Sequence, residues 1–351
     1  ASLGTVGVLV GSEGELLAGG DDLTTPGPVE LQRVLRQLVD RGVKRVAMEV
    51  SSHSLDQNRV DGLHFQAGLF TNLTRDHLDY HGTMEKYRQA KARLLDYLTP
   101  DGVAVLNADD PAWDALAARG RTVRFGIRKK ADIMARQILL TSRGSSWELC
   151  AGSKCHPVHL PMIGDFNVMN ALGAAAALWA LGKPLAEIAD KLGTIPQVPG
   201  RLEIIGRDPA VVRDYAHTPD ALERALRALR PITAGRLLCV FGCGGDRDKG
   251  KRPLMGRAAE ELADFSIVTS DNPRTEPPDA IIDDILAGMK TSKHERVTDR
   301  RDAIARAVSM ANADDLILLA GKGHETYQIR GTEKFPFDEK QIVAELTGAA
   351  S

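Results

Sequence analysis

Short apolar runs alternate with stretches of helical period along most of this 351-residue chain. Thr5–Val10 predicts an opening strand. Gly19–Pro28 is dense in turn formers, and Pro28 suits the first turn of a helix whose apolar face is Val29, Val34, Leu35, Leu38 and Val39. Lys44–Val50, Ala67–Thr71 and Gly102–Leu106 read as further strands, and Thr83 is placed to cap a helix running to about Leu98. Residues 133–160 break the alternation, with strand-like runs on either side of Ser142–Ser146 predicting an antiparallel hairpin. Helices follow at Phe166–Leu181 and Pro184–Leu192. The two prolines and the glycine of Ile195–Gly200 then mark a boundary between domains at 1–199 and 200–351.

The second domain restarts the pattern. Strands are predicted near Ala210–Arg213, Arg236–Phe241, Phe265–Thr269 and Leu316–Ala320, and helices at Pro219–Leu229, Pro253–Leu262, Pro278–Met289 and Arg301–Asn312. Strands alternating with helices imply parallel sheets covered on both faces, so the fold class is α/β in two domains. Ligands of such sheets sit at the carboxyl ends of the strands. Each predicted strand here exits into a polar segment: Glu49–His53, Asn72–His81, Asp214–Pro219, Gly242–Arg252, Asp271–Arg274 and Gly321–Glu325.

Composition narrows the function classes. A hydrophobic content of 43% with 26% charged residues is that of a soluble globular protein, and a net charge of −2 argues against a dedicated nucleic-acid binder. The longest apolar stretch, Ala171–Leu181, falls short of the ~18 residues of a membrane span, so a cytoplasmic enzyme is expected. Cys150, Cys155, Cys239 and Cys243 fit no common zinc spacing, and all are expected to be structural thiols. The start without methionine, directly on a strand, suggests a piece of a longer protein.

Several polar exits carry residues suited to chemistry. Glu49, His53, His77 and His81 are either solvated loop residues or a mixed oxygen and nitrogen set able to hold magnesium or manganese. Tyr87, Lys91, Leu94, Leu95 and Leu98 follow a spacing of three or four, which sets the lysine on the apolar face of its helix. It is either a snorkelling lysine or one whose depressed pKa suits it to chemical modification. Gly245–Lys251 has the spacing of a phosphate loop, but Arg252 stands where that motif needs a Ser or Thr hydroxyl for magnesium. A self-sufficient NTPase using residues 245–251 is therefore an alternative that Arg252 and the two aspartates inside the loop count against. Arg274 is either a surface ion-pair residue or a bidentate carboxylate clamp.

The motifs Met48–His53, Thr71–Gly82, Gly164–Asn170, Asp214–Asp220, Phe241–Pro253, Asp271–Glu276 and Gly321–Glu325 together resemble the Mur ligases of peptidoglycan assembly, in their diaminopimelate-adding branch. The resemblance covers essentially the whole chain. It implies a central, ATPase-type domain truncated at its start, followed by a Rossmann-like C-terminal domain. It also implies ATP-dependent addition of meso-diaminopimelate to UDP-MurNAc-L-Ala-D-Glu through an acyl phosphate, by a cytoplasmic monomer with ATP as co-substrate and magnesium (Mg2+) as cofactor. By the family pattern, Glu49 and His77 are magnesium ligands, and Lys91 is carbamylated to support a second magnesium. Thr24, Thr25, Ser51, Gln57 and Arg59 match the UDP-MurNAc-dipeptide site, and Asn167, Asn170, Arg201 and Asp214 match the nucleotide site. Arg247, Asp271, Asn272, Pro273, Arg274, Gly321 and Glu325 match the diaminopimelate pocket, where Arg274 meets the second carboxylate. The family's uridine-binding domain and Gly-Thr-Asn-Gly-Lys-Thr phosphate loop would precede Ala1. The expectation is that this polypeptide alone neither ligates nor hydrolyses ATP at a useful rate. A non-catalytic diaminopimelate-binding fragment is the other alternative.

Overall fold

The computed structural model describes residues 1–11, 14–17, 23–116 and 120–348. The chain divides into two compact units, one of residues 1–135, 149–155 and 170–188 and a second of 136–148, 156–169 and 189–351.

The strand expected at Thr5–Val10 is instead a hairpin. Ser2–Gly4 pairs antiparallel with Gly7–Val10, and Gly7, at φ +96°, takes a turn conformation that few side chains tolerate. Ser2–Gly4 also pairs in parallel with Ala47–Met48, the short remnant of the run expected from Lys44 to Val50. The helix Pro28–Asp40 begins at its proline as expected. Its buried face is Leu31, Val34 and Leu38, whereas Val29 and Val39 are 83% and 60% exposed, so the expected face was rotated. These residues pack with Leu3, Val8, Leu55 and Val60. Of the loop expected at Gly19–Pro28, residues 19–22 lie outside the described residues.

Phe65–Phe70, Leu98–Asn107, Arg121–Gly126 and Ile133–Thr141 form a parallel ladder, and Gly144–Ala151 and Lys154–Leu160 extend that sheet. Neighbouring strands joined by turns this short run antiparallel, so the expected hairpin is a three-stranded meander. Cys150 and Cys155 meet across its last turn, with Cα atoms 4.1 Å apart, in a disulfide. Reading them as structural thiols is thereby corrected: metal spacings do not reveal a pairing set by strand register. Cys239 and Cys243 are buried, and burial pushes both thiols up to about 12, which leaves them inert.

In the second unit Ala210–Asp214, Leu316–Ala320, Leu237–Phe241, Phe265–Val268 and His294–Arg296 lie side by side, all parallel. Glu203–Arg207 adds an antiparallel edge. Val212, Leu237, Cys239, Phe241 and Leu318 face one core, while Val211, Leu238, Val240, Ile317 and Leu319 face another. Burial on both faces explains why these strands read as continuous apolar runs rather than alternating ones. Helix Pro219–Leu229 is capped by Thr218, whose hydroxyl accepts from the Ala221 amide at 3.3 Å. Among the described residues no helix is long and apolar enough to cross a membrane.

Candidate active site

The N-terminal unit gathers its expected site residues into one connected network. The Thr5 hydroxyl donates to Glu49 Oε2 at 2.9 Å and lies 3.2 Å from the Thr24 hydroxyl. Thr25 is buried. Its hydroxyl donates to the Glu49 carbonyl at 2.9 Å and accepts from the Ser51 amide at 3.1 Å. Ser51 then caps the helix Ser52–Asp56. Arg59 donates to the Thr25 carbonyl at 3.1 Å and to Gln57 Oε1 at 2.9 Å, and Gln57 donates to the Tyr80 hydroxyl at 3.2 Å.

Rings carry the network onward. The His53 ring lies 4.2 Å from Tyr80 and 4.8 Å from His77, centroid to centroid, and His77 lies 5.9 Å from Tyr87. His77 has a left-handed backbone, φ 53°, stabilised by its amide donating to Asp76 Oδ1 at 2.8 Å. Burial lowers the pKa of His53, helped by the nearby His77, His81 and Arg59. Lys91 Nζ sits 5.1 Å from the Tyr87 ring centre, with no hydrogen-bonding partner among the described residues. Burial lowers its pKa, against a smaller opposing pull from Asp76. An amine so placed is more often neutral, and so more nucleophilic, than an exposed lysine. Glu49 and His77 are exposed, with donor atoms of the oxygen and nitrogen types that a hard cation takes.

At the strand ends of the C-terminal domain the chemistry is ionic and buried. Asp271 and Asn272 follow Phe265–Val268, and Gly321 to Glu325 follow Leu316–Ala320. Lys322 Nζ reaches Asp271 Oδ1 at 3.3 Å, Asn272 Oδ1 at 3.1 Å and Glu325 Oε2 at 3.4 Å. Asn272 donates to Glu325 Oε2 at 2.9 Å. Arg274, at φ 50°, bridges to Arg330, and its guanidinium donates to the Gly245 carbonyl at 2.8 Å. Asp214 is half-buried, accepting from the Leu202 amide at 2.8 Å, and burial raises its pKa. The Arg201 guanidinium lies 5.7 Å from the Tyr215 ring centre. Asn167 and Asn170 both stand on helix Asp165–Ala180, where Asn167 donates to the Ile163 carbonyl at 2.8 Å.

The glycine-rich loop does different work from a phosphate loop. Its amides are already engaged: Gly245 donates to the Asn272 carbonyl at 2.9 Å, Asp246 to Glu276 at 2.6 Å and Gly250 to Asp248 at 2.8 Å. A Cβ on Gly245 would lie 1.9 Å from the Pro273 carbonyl oxygen, so glycine is required there by close approach of the Asp271–Arg274 segment. Arg252 is fully buried and holds Glu276 through two bonds of 3.0 and 2.8 Å and Asp284 through one of 2.8 Å. Lys251 donates to the His217 carbonyl at 2.7 Å. Of the charge run, Arg247 makes no hydrogen bond or ion pair among the described residues and is exposed.

The profile of the Mur ligase middle domain matches residues 1–178, and that of the Mur ligase glutamate ligase domain matches residues 200–323. The chain belongs to the Mur ligase family. A Geobacillus kaustophilus protein named UDP-N-acetylmuramoyl-L-alanyl-D-glutamate–2,6-diaminopimelate ligase is 45% identical over 352 residues, covering 97% of this chain and 71% of its own. A Gloeobacter violaceus protein of the same name is 49% identical over 327 residues, covering 92% and 67%. A solved structure of a ligase so named superposes with a TM-score of 0.78 at 36% identity, over 99% of this chain and 72% of that one. A Thermotoga maritima MurF ligase, solved with ADP, shares the fold at a TM-score of 0.59 and 18% identity, over 87% and 67%.

Within this Mur ligase chain, sequence reasoning passed over Lys322, although it quoted the motif containing it. The available signal was a lysine between two glycines directly after an all-apolar strand. It also passed over Gln328, which is buried and donates to the Asp271 carbonyl at 2.6 Å. Nothing in the local pattern around Gln328 announces that contact.

Proposed function

We propose that this Mur ligase chain carries the machinery of an ATP-dependent amide ligase that adds meso-diaminopimelate to UDP-MurNAc-L-Ala-D-Glu in peptidoglycan precursor synthesis. We read it as a cytoplasmic monomer acting on small molecules. ATP phosphorylates the terminal carboxylate of the dipeptide. The incoming amine then attacks the acyl carbon, a C–N bond forms and phosphate leaves. Such a step needs donors and cations around the phosphoryl group, and an amine held in line with the carbonyl.

Thr24, Thr25, Ser51, Gln57 and Arg59 would orient the dipeptide substrate, and their shared network with Glu49 supports that reading. Glu49 and His77 would hold magnesium, which neutralises charge on the transferring phosphoryl group when bound. Lys91 is a third contributor in carbamylated form. Its neutral amine attacks carbon dioxide, a C–N bond forms and one proton is released, leaving a carboxylate-like anion. The desolvated, unpartnered Nζ supports this role. Asn167, Asn170, Arg201 and Asp214 would contact the nucleotide.

The observation that carries the amino-acid reading is the hydrogen-bonded cluster of Asp271, Asn272 and Glu325, with Arg274 Nη1, Arg247 Cγ and the Asn272 carbonyl all within 4 Å of where a Cβ on Gly244 would stand. Carboxylates for an ammonium stand beside a guanidinium for a carboxylate, which is the complement of one amino-acid end of diaminopimelate. Gly321, at φ +115°, keeps the approach to Asp271 open, and Pro273 fixes the segment between them. Titration calorimetry tests this. The chain should bind meso-diaminopimelate in preference to L-lysine, and Arg274→Ala should weaken the former by about tenfold or more, the scale of one charged contact. Equal binding of the two amino acids would overturn it.

A further inference from the structure

Lys322 is a fully buried charge at the C-terminal strand ends. Its side chain is 0% exposed, while Asp271 and Glu325, which it bridges, are 9% and 16% exposed. The lysine therefore lies deeper than the two carboxylates it bridges. Gly321 and Gly323 flank it at φ +115° and +54°, so the backbone turns on both sides and directs the side chain inward. A Cβ on Gly323 would fall 2.7 Å from Tyr215 Cβ, which fixes that turn against its neighbour. The three ammonium protons face three acceptors, on Asp271, Asn272 and Glu325. The same Asn272 Oδ1 also accepts from the Ile329 amide at 2.9 Å, which fixes that side chain further.

A fully buried amine is costly unless paired, and replacing a buried ion pair with apolar groups is often neutral for stability. Stability alone gives little reason to keep the lysine here. Charge balance does. Asp271 and Glu325 bring two negative charges, and Lys322 cancels one of them. What remains suits one ammonium, with Arg274 and Arg247 available for one carboxylate.

We propose that Lys322 is a positioning and specificity residue of the amino-acid pocket. It holds Asp271, Asn272 and Glu325 in one arrangement and sets the pocket charge to accept a zwitterionic amino-acid end rather than a purely cationic one. This inference rests on reading the pocket as the diaminopimelate site. Lys322 touches no substrate; it acts through the two carboxylates.

The test is the ratio of dissociation constants for L-lysine and meso-diaminopimelate, measured by calorimetry on the whole chain. In Lys322→Met the pocket gains a negative charge, and the ratio should shift towards L-lysine by about tenfold. Lys322→Arg should keep the ratio close to that of the parent. A merely structural role would weaken both ligands in proportion and leave the ratio unchanged. Should Lys322→Met fail to fold, Glu325→Gln supplies the opposite change, with Lys322 retained and the pocket more positive. Its ratio should then move further against L-lysine, and an unchanged or reversed ratio would overturn the proposal. If the parent chain itself shows no preference for diaminopimelate, the pocket reading fails and the role of Lys322 fails with it. If the parent is selective and both variants keep its ratio, only the role of Lys322 fails.

Discussion

Two lysines, one in each half of the chain, show how differently the same amine is used. Lys91 is desolvated beside the Tyr87 ring and has no acceptor among the described residues, and burial lowers its pKa. Lys322 is more deeply buried yet faces three acceptors. Burial without partners makes a nucleophile, and burial with partners makes a counter-ion. The surroundings differ in the same way. Among the described residues, the ion pairs within the first 135, such as Arg36–Asp40, have neither partner buried, whereas Arg213–Glu203, Arg252–Glu276 and Arg300–Glu339 of the C-terminal domain have at least one buried partner. The N-terminal network is built of hydroxyls and rings, with donor atoms of the types that a hard cation takes. The C-terminal pocket is largely neutralised before any ligand arrives.

The largest effect should come from breaking a buried pair. Arg300 and Glu339 are both 0% exposed at 2.8 Å, so Arg300→Ala should cost about 3–5 kcal/mol in urea unfolding, while the double change to Met and Leu should recover most of it. A loss below about 1 kcal/mol would remove the contrast between the halves.

Acid provides a milder test. Bonds from Arg252 first, then from the Asp246 amide and Lys249, lower the Glu276 pKa to about 2 from its ordinary 4.5. A lowered carboxylate pKa contributes stability that is present above the unfolded value and lost as pH falls through the folded one. The melting temperature of the C-terminal domain should therefore fall between pH 4.5 and 2, and Glu276→Gln should flatten that limb. An unchanged slope would show that the pair does not anchor the glycine loop. The smallest effect belongs to Arg36→Ala. Its pair is 73% and 56% exposed, and its loss should cost under about 0.5 kcal/mol.

Much of this was legible in the sequence where local rules decide. Proline at the start of helices Pro28–Asp40 and Pro219–Leu229, the Thr83 cap, and the apolar strands of the C-terminal sheet all follow from residues within a few positions of one another. The rotated face of the first helix was missed because Leu31 is needed by Leu3 and Val8, which periodicity alone does not see. Arg252 looked like part of a ligand loop. Its partners Glu276 and Asp284 lie 24 and 32 residues away, and only folding brings them together. Gln328 and the Cys150–Cys155 pair escaped for the same reason, since register and long-range approach decide them. The candidate pocket was legible as a set of motifs, but its buried lysine was not.

The contrast between the two lysines is tested most directly by carbon-13 NMR of the chain in labelled bicarbonate. One carbamate resonance is predicted, absent in Lys91→Ala and retained in Lys322→Met. Absence of that resonance from the parent chain, or its survival in Lys91→Ala, would contradict the account.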